Sequence, residues 1–142
     1  MSAAPTEAPT PGFDTPAQFG QTVTFPNGVE ATVAAVSFGP PAKNIGVVGE
    51  GNQAVLSLTI TNKSGARIDA TKMSWPKVAY GANLEPATPI SNANITAMLD
   101  GDKKSDQFSR FIPATEGGKV RIQVPAPDGG QPAIFEGSMV TP

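Results

Sequence analysis

The chain has 142 residues, 15 Gly, 15 Pro, 15% charged residues and a net charge of −2, which fits one domain of many short strands joined by turns and argues against a helical bundle. It contains no Cys and no His, excluding a Cys nucleophile, a His general base, the Ser-His-Asp triad and zinc or copper sites built on thiolate or imidazole. The ten basic residues are scattered except for a loose group from Lys103 to Arg121, the pattern of a solvated strand face and not the footprint of a nucleic-acid binder.

Residues 1–16 (MSAAPTEAPTPGFDTP) carry Pro5, Pro9, Pro11 and Pro16 among Thr, Ala and Ser. Such a stretch builds no packed element and is expected to be a disordered, extended linker ahead of a folded domain over 17–142. It lacks the basic start and apolar centre of a signal peptide, and no apolar run elsewhere is long enough to span a bilayer. Phe19 to Phe25 reads as the first strand, with Phe19, Val23 and Phe25 in register. Pro26-Asn27-Gly28 is a hairpin turn, because Asn-Gly tolerates the positive φ angles that a tight reversal needs. Val29 to Phe38 returns, with Val29, Ala31 and Val33 inward and then Val36 and Phe38 inward. The change of parity predicts a bulge near Ala34-Ala35. Gly39 to Asn52 reads as a loop.

Gln53 to Asn62 (QAVLSLTITN) is the clearest element, with Ala54, Leu56, Leu58 and Ile60 on one parity and Ser57, Thr59 and Thr61 on the other. That is a central strand with one buried and one wet face. A weaker strand follows around Ala66 to Met73, then another over Ser74 to Tyr80, where Pro76 marks an edge or a strand start. Gly81 to Gln107 is irregular, Ile95 to Leu99 being either one helical turn or a short strand, and Asp100 to Asp106 a polar turn. Phe108 to Ile112, Lys119 to Val124 and Ala133 to Val140 complete the strands, with turns at 113–118 and 125–131. Seven to nine short strands at this spacing predict an all-β, immunoglobulin-like antiparallel sandwich.

Phe19-Gly20-Gln21-Thr22-Val23, Leu56 to Ser64 (LSLTITNKS) and Pro113 to Pro125 (PATEGGKVRIQVP) resemble segments of the immunoglobulin-like, telokin-like sandwich domain of bacterial secreted proteins and lipoproteins. A small secreted mycobacterial immunogen is akin to it. The resemblance covers most of Ala17 to Val140, but Gly81 to Gln107 has no counterpart in it. It implies an extracellular or envelope-tethered domain, a lipoprotein whose signal and anchoring Cys would precede residue 1, and it carries over no catalytic residues.

Several short patterns touch on chemistry. Ser74-Trp75-Pro76-Lys77 has the Ser-x-x-Lys spacing of penicillin-binding proteins, but that chemistry needs a helix start, and no Ser-Asp-Asn or Lys-Thr-Gly follows. Gly49-Glu50-Gly51-Asn52-Gln53-Ala54 has dinucleotide spacing, but a strand follows where a helix is required. Asp100, Asp102 and Asp106 cluster three carboxylates, with Lys103 and Lys104 opposing calcium. Asn62-Lys63-Ser64 and Asn94-Ile95-Thr96 are glycosylation sequons only in a eukaryotic secretory context. Met73, Met98 and Met139 lack the company of His or Cys and read as core filling. Trp75 and Tyr80 are the candidate partner-binding residues, since such side chains dominate interaction hot spots, although a lone Trp in a sandwich is more often a core residue. The sequence therefore predicts a non-enzymatic domain, without a cofactor, that binds an unidentified envelope or host protein or plays a structural part. It predicts no nucleic-acid partner and no membrane contact except through an upstream lipid anchor. A metal or small-ligand carrier in the envelope is the alternative.

Overall fold

Where apolar and polar residues alternate most cleanly, at 53–62 and 119–124, the chain forms strands. The structure is a computed structural model, and it describes residues 12–13, 15–39, 52–81, 84–112, 119–127 and 130–138. Its strands are β1 (Ala17–Gln18), β2 (Thr22–Thr24), β3 (Val29–Gly39), β4 (Asn52–Asn62), β5 (Ile68–Asp69), β6 (Lys77–Tyr80), β7 (Glu85–Pro86), β8 (Thr88–Ser91), β9 (Ala97–Met98), β10 (Lys103–Ile112), β11 (Lys119–Val124) and β12 (Ala133–Ser138). One five-stranded sheet runs β2-β3-β4-β10-β8 and another β1-β12-β11-β6-β7, while β5 and β9 form a small pair of their own. Pairing is antiparallel except for β1 with β12. The expected all-β sandwich is what forms, and eight of its strands have three or more residues.

The core follows the predicted parity. Ala54, Leu56, Leu58 and Ile60 of β4 are fully buried, and they join Val29, Ala31, Val33, Phe108, Ile122 and Phe135 in one apolar cluster drawn from both sheets. Strand β4 is central, hydrogen-bonded to β3 on one side and β10 on the other. Its outer face adds a hydroxyl pair across strands, Thr59 Oγ1 to Ser105 Oγ at 2.8 Å, a modest cross-strand contribution. The hairpin into β3 closes as expected, with Gly28 N donating to Phe25 O at 2.9 Å. Gly28 sits at φ +97°, and a Cβ there would lie 2.7 Å from the Lys63 carbonyl oxygen, so both conformation and space demand glycine.

Three expectations need correction. The expected bulge in β3 forms, between Ala35 and Ser37, but it makes Val36 the extra residue, and Val36 is 50% exposed instead of inward. A bulged residue leaves the ladder, so parity does not place it. The register beyond the bulge pairs Phe38 with Ala54. Second, the polar stretch after Asp102 is a strand and not a turn, since β10 begins at Lys103. Lys104 and Asp106 stand opposite Ile60 and Leu58 on the inner face because a covering segment needs them. Lys104 Nζ donates to Ala97 O at 3.1 Å, and Asp106 Oδ2 accepts from Asn94 N at 2.8 Å. Third, Arg110 belongs to no solvated face: it is 3% exposed.

Of the expected linker, residues 1–11 and 14 lie outside the described residues, as do the loop at 40–51 with its Gly-x-Gly pattern, the turn at 113–118 and Met139. The chain is already attached to the sandwich at Gly12, whose carbonyl accepts from Ile134 N at 2.7 Å. Beside it, Phe13 sets its ring edge-on to Phe25 at 5.8 Å.

Candidate functional site

The segment from Asp69 to Pro76 is a short knot of hydrogen bonds that ends at the start of β6. Asp69 Oδ1 accepts from Thr71 N at 2.9 Å and from Thr71 Oγ1 at 2.5 Å, the local carboxylate turn that Asp favours. Those bonds from Thr71, aided by the Arg67 and Lys72 cations, hold the Asp69 carboxyl below its ordinary pKa. Ser74 N donates to Ala70 O and Thr71 O, and Trp75 N to Lys72 O, each at 3.2 Å. Ala70 and Met73 are fully buried and pin the knot to the core. Trp75 stands out of it, 63% exposed.

The far side of Trp75 is fixed by an interior guanidinium. Arg110 lies opposite Ala54 on the inner face of β10, where a small partner leaves room. Its Nη2 donates to Pro76 O at 2.8 Å and Asn92 Oδ1 at 2.7 Å, and its Nη1 to Ser91 O at 2.6 Å and Ser109 O at 2.8 Å. The guanidinium also sits 5.4 Å from the Phe108 ring centroid. Among the described residues no carboxylate pairs with it; four oxygens of neutral groups meet its fork. Burial pushes its pKa below the usual value. Arg110 thus ties β10 and its neighbour β8 to Pro76, the residue just ahead of β6 in the other sheet.

Tyr80 is placed differently from Trp75. It ends β6, lies opposite Val120, whose side chain is buried, and packs half-buried against the core. The two are five residues apart, up to about 16 Å of extended backbone; Trp75 is exposed, whereas Tyr80 is half-buried.

The outer face of β6, β11 and β12 holds a trough. Register aligns Lys77, Gln123 and Ile134 in one row and Ala79, Arg121 and Glu136 in the next. Strand β7 folds back beside β6, with Pro86 opposite Ala79. Around Ala79 lies a hollow of about 340 Å³ walled by Leu84, Pro86, Arg121 and Ile134. A second, of about 250 Å³, shares Lys77 and Gln123 with the first and reaches Lys72, Pro125, Ala126 and Pro132. Arg121 is committed to Glu136, with Nη2 at 2.7 Å and Nε at 2.9 Å from Oε2.

The remaining motifs lose their chemistry in the fold. Ser74 Oγ is spent on Thr71 O at 2.7 Å, whereas Lys77 lines the outer trough. Asp100, Asp102 and Asp106 do not converge: they accept from Gly65 N, Leu99 N, and Asn94 N with Gln107 N respectively. No group of three or more His, Cys, Asp or Glu that could hold a metal ion occurs among the described residues. Asn62 is fully buried, its amide donating to Ala66 O and Met98 O while its oxygen accepts from Ser64 N and Oγ. Met73 and Met98 are core residues.

No family model and no curated protein matches the chain. Solved structures do. The yjhA protein of Bacillus subtilis superposes with a TM-score of 0.62 at 12% identity, over 88% of this chain and 100% of its own. A candidate lipoprotein of Bacillus subtilis, ycdA, gives 0.63 at 8% identity, over 87% of this chain and 39% of its own. MPT63, a secreted protein from Mycobacterium tuberculosis, gives 0.59 at 12% identity, over 85% of this chain and 95% of its own. At such identities the likeness is one of fold, and it bears out the immunoglobulin-like sandwich that the sequence motifs resemble.

Proposed function

We propose that this chain is a non-enzymatic sandwich domain, secreted or tethered to the cell envelope, that binds a partner protein through the surface centred on Trp75. The observation that carries the reading is the presentation of that side chain. A large aromatic exposed to water loses apolar burial, yet the Asp69–Pro76 knot and the Arg110 fork hold its backbone in place from both sides. Preorganised aromatics of this kind serve as anchors in interfaces because little side-chain and loop freedom is lost on binding. The description of one structural neighbour as secreted and of another as a candidate lipoprotein, with the Pro- and Thr-rich start of the chain, supports the location. The composition supports a role in binding rather than catalysis, since the chain offers no thiol or imidazole.

The test is affinity capture from the native envelope with the wild-type domain and with Trp75→Ala in parallel. A protein retained by the wild type and lost with the variant, at an unchanged thermal midpoint, supports the reading. Equal capture by both overturns it.

A further inference from the structure

We infer that the trough on the outer face of β6, β11 and β12 is a binding site for a small anionic amphiphile. The molecule's carboxylate would meet the Lys77 ammonium, and its apolar body would lie over Ala79 between Leu84, Pro86 and Ile134. This goes beyond the Trp75 surface and is independent of it, since Trp75 does not line either hollow.

Three observations converge. The first is apolar shape where a solvated sheet would be polar. An exposed sheet face ordinarily carries polar side chains, but here the small Ala79 lines a hollow of about 340 Å³ in which Leu84, Pro86 and Ile134 are apolar walls beside Lys77, Arg121 and Gln123, within the range of small-molecule sites. The second is charge. Among the described residues the two hollows are lined by Lys72, Lys77 and Arg121 and by no carboxylate, in a chain whose net charge is −2. Arg121 is neutralised by Glu136, whereas no carboxylate of the described residues lies within salt-bridge distance of Lys77. An unpaired cation beside an apolar bed selects an anion with an apolar body. The third is backbone strain at the wall. Leu84 has φ +51° and is the one described residue other than glycine with a positive φ. A bulky residue held in that region is an outlier of the kind that clusters at ligand clamps.

A small molecule fits better than an added peptide strand. The free side of β6 is already taken by β7, and Ala87 N donates to Val78 O at 2.9 Å, so the backbone there has little left to offer an incoming strand.

The experiment titrates the full chain with decanoate and, separately, with decanol, following the Ala79 and Ile134 methyl signals by NMR. The wild type should bind decanoate more tightly than decanol, with shifts confined to the trough. Lys77→Met should weaken decanoate about fivefold, the scale of one exposed ion pair, and leave decanol unchanged. Ala79→Trp, which fills the hollow from the solvent side, should abolish both; Ala79→Gln makes the same test should the larger residue impair folding. The inference is overturned if decanoate causes no shift up to millimolar concentration, if Lys77→Met affects both ligands alike, or if only an acidic peptide binds.

Discussion

Replacing Arg110 with methionine removes the guanidinium while keeping most of its length, and the outcome depends on two opposed effects. Deleting the charge relieves the desolvation of a group only 3% exposed, a penalty of several kcal/mol for a buried ion. Against that stand four hydrogen bonds from a charged donor, each contributing about 1.5–3 kcal/mol. The oxygens of Ser91 and Asn92 lie near enough to the surface to recruit water. The bonds to Pro76 O and Ser109 O are buried, and each acceptor left bare costs about 1–3 kcal/mol. The hydrogen bonds win, and we expect a net loss of about 3 kcal/mol. With a urea slope of about 2 kcal/mol/M, the midpoint of equilibrium unfolding should fall by roughly 1.5 M. Arg110→Lys should recover little, because an ammonium lacks the planar fork that meets four acceptors at once. A methionine variant within about 0.5 kcal/mol of wild type, a margin typical of inconsequential surface changes, would refute the account of Arg110 as the tie between the sheets. A lysine variant equal to wild type would show that charge matters and the fork does not.

Trp75 is the only tryptophan, so native fluorescence should resemble that of the unfolded chain in emission maximum and be readily quenched by acrylamide; a blue-shifted, protected emission contradicts its exposure. Because Thr71 holds the Asp69 carboxyl below its ordinary pKa, its contribution to the turn is present above the unfolded value of about 3.9 and is lost as pH falls through the lower folded value. Trp75 quenching should therefore change below about pH 4 in wild type and not in Asp69→Asn, and identical acid profiles would mean that Asp69 does not hold Trp75 in place. Leu58→Ala should cost about 2–5 kcal/mol from the centre of the core, whereas Leu99→Ala, at a side chain 62% exposed, should stay within about 0.5 kcal/mol. Thermal or urea melts of the pair decide this, and comparable losses would mean that β4 is not central.

Strands β4 and β11 were legible because each buries one face and wets the other, so side-chain polarity follows the two-residue period directly. The first half of β10 was hidden for the opposite reason. Lys103 to Gln107 are polar on both parities, since Lys104 and Asp106 satisfy the backbone of the covering segment from the inner face. Nothing in spacing or composition separates a buried arginine such as Arg110 from a solvated one; its burial follows from carbonyls delivered by Pro76, Ser91 and Ser109. Trp75 and Tyr80 could be singled out by residue type alone, and only the fold shows that Trp75 is exposed while Tyr80 packs on the core. The trough could not be read at all, because Lys77, Arg121 and Ile134 meet through strand register rather than sequence proximity.

Whether a partner docks at Trp75 can be tested on the native envelope itself. A photo-crosslinking amino acid placed at Trp75, and at the exposed controls Val36 and Leu99, can be activated on the intact native envelope. The account predicts a discrete adduct at position 75 and none at the other two. Adducts of equal yield at all three positions, or at the controls alone, would contradict it.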